Sequence, residues 1–257
     1  MKKLISIVFC LSAMSLGCFA STANEDFKKA EELYKSGNYG QAAGLYRKAA
    51  DQGDAEAQFN LGLCYYEGEG VEKNLTEAVK LWRKAAAQGF ASAQLNLGRC
   101  YYAGEGVEKN DAEAVKWYSK AAAQGLAKAQ HNLGNCYYNG EGVEKNTELA
   151  VKLWREAAEK GFANAQYEIG VCYFNGEHVQ KSPAEAIKWI RKAAGQGHAR
   201  SQVVLGVLYY KGQVVEKNDA EALKWLRMAA AQGDKNAIAI LNEIENKPSK
   251  PGESKPK

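Results

Sequence analysis

Residues 55–90 read AEAQFNLGLCYYEGEGVEKNLTEAVKLWRKAAAQGF, and the same 36-residue sentence opens again at Ala91, Ala127, Ala163 and Ala199. Each copy begins Ala-x-Ala-Gln, or Ala-x-Ser-Gln in the last. Each passes through a Leu-Gly or Ile-Gly pair and a loop such as Gly-Glu-Gly-Val-Glu-Lys-Asn, and most end near Lys-Ala-Ala-Ala-Gln-Gly. A fixed period of this length marks a solenoid, in which each unit buries its apolar face only against its neighbours.

Within one copy the periodicity is helical. Ala57, Leu61, Cys64 and Gly68 are spaced by four, three and four, with Gln58, Gly62 and Tyr65 as the adjacent row. Gly68 and its counterparts Gly104, Gly140, Gly176 and Gly212 never vary, which predicts a left-handed residue ending the first helix. The second loop glycine, Gly70, is replaced by His178 and Val214, which reads as a less demanding site. Asn74-x-x-Glu77, Asn110-x-x-Glu113, Asn218-x-x-Glu221 and Ser182-Pro183-Ala184-Glu185 are capping boxes for the second helix, whereas Asn146 faces Leu149. Ala78, Trp82 and Ala85 mark its buried face, and Gly89 ends it.

Outward from the repeats, 24–54 reads as a helical hairpin with its turn at Gly37-Asn38. Residues 235–246 read as one capping helix with Ala237, Ile238, Leu241 and Ile244 inward. Residues 247–257 hold three of the four prolines and no apolar side chain, and are expected to be disordered. At the other end, Met1-Lys2-Lys3 and the uncharged run Leu4–Ala20 have the layout of a secretory signal peptide ending at Ala20 or Ala23. Ser15-Leu16-Gly17-Cys18 offers the alternative of a lipid anchor at Cys18. Either way the mature chain is placed outside the cytoplasm, in the periplasm or secreted, with no membrane span after cleavage.

Four cysteines remain: Cys64, Cys100, Cys136 and Cys172, one per repeat, and Leu208 fills the fifth site. Equivalent points on neighbouring helices lie roughly 10 Å apart, beyond the roughly 7 Å between Cα atoms that a disulfide spans. Buried free thiols are expected. The spacing also excludes a four-cysteine zinc site, which needs close pairs. Residues 24–246 carry 28 basic and 29 acidic groups, so the body has no field to draw nucleic acid. The three histidines, His131, His178 and His198, occupy unlike positions, and no nucleophile elbow, zinc-protease helix or phosphate loop occurs. The Gly-Glu-Gly loops join two helices, which is the wrong context for a dinucleotide. No catalytic residue, metal or cofactor is assigned.

These repeats resemble the Sel-one-like repeat family, relatives of tetratricopeptide repeats, over about 180 residues. The resemblance implies an all-α right-handed superhelix of five helix-turn-helix repeats (55–90, 91–126, 127–162, 163–198, 199–234) working as an adaptor or scaffold in protein complexes. One secreted branch has been linked to penicillin binding or β-lactam hydrolysis and carries two cysteines per repeat. This chain has one. A cell-envelope hydrolase is therefore the alternative reading.

By analogy with related solenoids the first helices line the concave side, where a protein or peptide partner would bind. The fifth positions are Phe59, Leu95, His131, Tyr167 and Val203. The ninth are Leu63, Arg99, Asn135, Val171 and Val207, and the twelfth Tyr66, Tyr102, Tyr138, Phe174 and Tyr210. They share one helical stripe. The aromatic twelfth row is either packing between neighbouring helices or a ladder gripping a partner. His131 is either a groove residue or an ordinary surface histidine. Lys80, Lys116, Lys152, Lys188 and Lys224 read as a solvated row, four of them paired with a glutamate three residues earlier.

Overall fold

The computed structural model describes residues 24–245. The expected leader, the Cys18 alternative and the expected disordered tail lie outside those residues. Among the described residues there are thirteen helices and no strand: α1 (24–35), α2 (Tyr39–Asp51), α3 (Ala55–Glu67), α4 (Leu75–Ala87), α5 (Ala91–Ala103), α6 (Asp111–Ala123), α7 (Ala127–Asn139), α8 (Thr147–Glu159), α9 (Ala163–Asn175), α10 (Pro183–Gly195), α11 (Ala199–Lys211), α12 (Asp219–Ala230) and α13 (Lys235–Glu245). The chain forms two compact units. The first holds residues up to Ala129 with Glu141–Val143, and the second holds Gln130–Gly140 with everything from Glu144 on.

Within each unit, consecutive helix pairs pack as a solenoid. In the first, α2 packs on α3, α3 on α4, α4 on α5 and α5 on α6. In the second the same succession runs from α8 to α13. The Leu-Gly motif explains how the two helices of a pair come close. A Cβ on Gly62 would lie 2.4 Å from the Trp82 indole nitrogen, and one on Gly98 2.6 Å from the Tyr118 ring. Gly134, Gly170 and Gly206 give the same room to Trp154, Ile190 and Leu226. The large side chain of the second helix thus sits on the bare backbone of the first.

The expected helix ends are present. Gly68 lies at φ 83°, and its N–H and that of Glu69 both donate to the Cys64 carbonyl, at 2.8 and 2.9 Å. The Asn74, Asn110 and Asn218 side chains each accept from the N–H three residues on at 3.0 Å. Asn146 does the same with Leu149, so the cap holds without its glutamate. The four expected Glu–Lys pairs form on exposed surface.

Two readings are corrected. The Gly70 position is demanding: a Cβ there would stand 2.2 Å from the Tyr39 carbonyl oxygen, and the loops at Gly106 and Gly142 are pressed in the same way against the starts of α4 and α6. His178 and Val214 keep the same left-handed backbone, at φ 51° and 67°, a conformation that disfavours side chains. Ile238 does not point inward but is 42% exposed. It occupies the place of the repeat glutamine, and no second helix follows α13 among the described residues to cover it.

That glutamine ties neighbouring repeats together. Gln58 donates to the Ala50 carbonyl of the preceding helix at 3.2 Å and accepts from Gln88 at 2.9 Å. Gln94, Gln166 and Gln202 repeat the pattern with Ala86, Ala158 and Ala194 and with Gln124, Gln196 and Gln232. In the remaining copy Gln130 uses Glu156 and Lys160. A buried amide with both ends satisfied fixes register, because a shift of one residue would strand it. The four cysteines are free and buried, as the spacing predicts.

Candidate protein-binding face

The first helix of each repeat carries the predicted stripe, and the structure divides its rows. The twelfth row is joined to the next repeat. The Tyr66 hydroxyl donates to Glu105 at 2.7 Å and the Tyr102 hydroxyl to Glu141 at 2.8 Å, both 39 residues on. Glu177 stands in the same relation to Tyr138 and, as its largest influence, holds the phenol above its ordinary pKa. Lys73, Lys109 and Lys145 lie 5.8, 5.6 and 5.5 Å from the ring centres of Tyr66, Tyr102 and Tyr138. Trp82 and Trp154 touch Tyr66 and Tyr138 from the other side. Packing between repeats therefore occupies much of each ring. Tyr102 still shows 38% of its surface, and Phe174 and Tyr210 are half-buried.

The fifth row fills the seam where each repeat ends. Phe59 meets Phe90 at 5.1 Å between ring centres, His131 meets Phe162 at 5.2 Å and Tyr167 meets His198 at 5.1 Å. Leu95 and His131 are each only 7% exposed, so neither is a surface residue. Burial lowers the His131 pKa, the Asn132 side chain opposes that, and His198 adds to it. In the ninth row Asn135 accepts from the Trp154 indole N–H at 3.0 Å, while Arg99 is exposed.

The sixth row was not singled out from sequence, although Asn-Leu-Gly recurs at Asn60, Asn96 and Asn132. All three are half-buried. Asn132 lies 3.3 Å from His131 Nδ1. Asn60 and Asn96, both in the first unit, have no side-chain hydrogen-bond partner among the described residues. In the second unit the row continues as Glu168, whose pKa is raised by burial against the pull of Arg200, and Val204. The first unit thus offers two amides without a partner in the fold, and the second offers Asn132 and the Glu168 carboxylate. No cluster of three or more histidine, cysteine or acidic residues is placed to bind a metal ion among the described residues. No described helix is long and apolar enough to cross a membrane.

The sequence model of the Sel1 repeat matches residues 33–54, 55–90, 91–126, 127–162, 163–198 and 199–234. The chain belongs to the Sel1 repeat family. The crystal structure of a Sel1 repeat protein from Oxalobacter formigenes is 38% identical, covers 85% of this chain and 87% of that one, and superposes with a TM-score of 0.79. A protective antigen of uropathogenic Escherichia coli with the same fold is 33% identical over 86% of this chain and 56% of its own, at a TM-score of 0.51. Among curated proteins, "Putative beta-lactamase HcpC" of Helicobacter pylori J99 is 41% identical over 78 residues, 29% of this chain and 26% of that protein. The match thus spans about a quarter of that relative's length. The match to residues 33–54 extends the repeat series into the second half of the N-terminal hairpin.

Proposed function

We propose that this Sel1 repeat protein is a non-catalytic scaffold that binds a protein or peptide across the first helices of its repeats, outside the cytoplasm. The observation that carries the reading is the pair Asn60 and Asn96. Two half-buried amides, one repeat apart on α3 and α5, have donors and acceptors unused by the fold. Neither amide is sealed from water, so a bound segment can take the place of that water. The backbone of a bound segment offers both an N–H and a C=O. Exposed Arg99 and Tyr102 beside Asn96 supply the residue types that anchor interfaces.

The test is capture of a partner from an envelope extract by the wild-type chain and by Asn96→Ala/Arg99→Ala. Loss of that partner at an unchanged melting temperature supports the reading, and undiminished capture removes this face from it. Mass spectrometry of the mature N-terminus tests export, with cleavage after Ala20 or Ala23 expected and an acylated Cys18 as the alternative.

The second reading is a cell-envelope hydrolase, favoured by the name of the Helicobacter relative. A single cysteine in each of four repeats, buried and free, separates this chain from the branch with two per repeat. Turnover of a chromogenic β-lactam by the purified chain would establish the hydrolase.

A further inference from the structure

In the second unit the helix α13 continues the series of first helices. Asp234 caps it by accepting from the Ala237 N–H at 3.0 Å, as Asp54 caps α3 by accepting from the Ala57 N–H at 2.7 Å, and Ala237 is buried as Ala57 is. Glu245, the last described residue, stands one 36-residue period after Tyr209. The chain therefore leaves α13 at the level of the twelfth row, beside Tyr210. From there the row runs through Tyr210 on α11, Phe174 on α9 and Tyr138 on α7, all within the second unit.

The three rings are not equally covered. Tyr138 has Lys145 at 5.5 Å on one side and Trp154 at 5.1 Å on the other. Phe174 packs against the Ile187 and Ile190 cluster, but no cation lies over its ring among the described residues, and Gln213 stands where the other repeats hold a glutamate. Phe174 and Tyr210 are both half-buried. Partly open aromatic rings set at regular intervals are what polyproline II segments dock on. Beyond α13 the sequence reads Lys247-Pro248-Ser249-Lys250-Pro251, with lysine and proline each returning after three residues, the period of that helix. At about 3.1 Å per residue, three residues advance about 9 Å, against roughly 10 Å from one packed helix to the next. Counted from Glu245, Pro248 falls one repeat along, at Tyr210, and Pro251 two repeats along, at Phe174. Glu177, three residues after Phe174, forms no ion pair among the described residues and is available to Lys250.

We propose that the twelfth row of the second unit is a docking surface for lysine- and proline-rich polyproline II segments, and that residues 247–251 of the same chain occupy it, with Pro248 against Tyr210 and Pro251 against Phe174. An outside ligand of that chemistry has to displace them. The proposal is independent of the protein-binding reading, whose test residues Asn96 and Arg99 lie in the first unit.

A fluorescein-labelled peptide of residues 246–257 is titrated with the full chain and with its Pro248→Ala/Pro251→Ala variant, reading anisotropy. It should saturate on the variant and bind the wild type about tenfold more weakly or worse, because a tethered segment competes at an effective concentration of about a millimolar. The same peptide with alanine at both proline positions should bind the variant about tenfold more weakly, and so should the native peptide once Phe174→Ala is added to the variant. The comparison of the two peptides leaves the folded body unchanged, so it decides the matter if Phe174→Ala unfolds. No saturation on the variant, equal affinity for variant and wild type, or equal binding of the two peptides overturns the proposal. Adding Asn96→Ala/Arg99→Ala to the variant should leave peptide affinity unchanged, and a loss there would move the site to the first unit and overturn it. Sedimentation velocity should show both chains as monomers. A wild-type dimer that dissociates in the Pro248→Ala/Pro251→Ala variant would give the segment to a second copy and overturn its assignment to the same chain.

Discussion

The Tyr66 hydroxyl donates to the Glu105 carboxylate of the following repeat, 39 residues on. The same relation joins Tyr34 to Glu69, at a spacing of 35, and Tyr102 to Glu141. It stops where Phe174 replaces the tyrosine, and there Gln213 replaces the glutamate. Donor and charged acceptor are lost together, as expected if each is useful only with the other.

Installing the pair should therefore be cooperative. Phe174→Tyr/Gln213→Glu should stabilise the chain by about 1 kcal/mol more than the sum of the single changes, since a hydrogen bond to a charged group contributes about 1.5–3 kcal/mol when well buried and less here. Urea denaturation of the four proteins measures the coupling, and additivity would show the bond to be incidental.

Val214 carries a side chain at φ 67° and is exposed, so nothing packs in return for the strain. Val214→Gly should raise stability by about 1 kcal/mol, whereas Val214→Ala should leave it nearly unchanged. Thermal melts of both variants check this, and a lower midpoint for the glycine variant would contradict the strain.

The helices were legible because their signals are local. Gly68 at a left-handed helix end and Asn74 capping Glu77 each act within a few residues, and the 36-residue copy shows which positions tolerate change. The surface was less legible. Period identifies the side chains that share a helix face but not the neighbour that covers them, so Tyr66 and His131 could not be separated from Arg99. The Asn60 row escaped notice because asparagine beside an invariant glycine resembles helix-surface filler. Its importance lies in an absent partner, which only coordinates reveal. Val214 misled for a related reason: a tolerated substitution does not make a relaxed site.

Burial pushes the Cys64 and Cys100 thiols up to about 11 and Cys172 to about 12. Thiolate is scarce at pH 8, and access is closed as well. Ellman's reagent should modify the four thiols of the chain from residue 24 onward about a hundredfold more slowly in buffer than in guanidinium. Fewer than four titrating when unfolded without reductant would mean that disulfides form.

His131 makes stability depend on pH. Its imidazole lies edge-on to Phe162, and burial keeps it neutral by lowering its pKa below the usual 6.5. The unfolded chain, with the ordinary value, takes up the proton first as pH falls. The contribution of His131 is thus intact above about pH 6.5 and is lost as pH drops towards the folded-state value. His131→Phe reproduces the Phe59–Phe90 contact without a titrating group. Urea midpoints at pH 7.5 and 5.0 should fall further for the wild type than for His131→Phe. The variant should keep some dependence, because His198 is also lowered by burial and by Arg200. Parallel losses in the two proteins would show that the His131 proton is not coupled to folding.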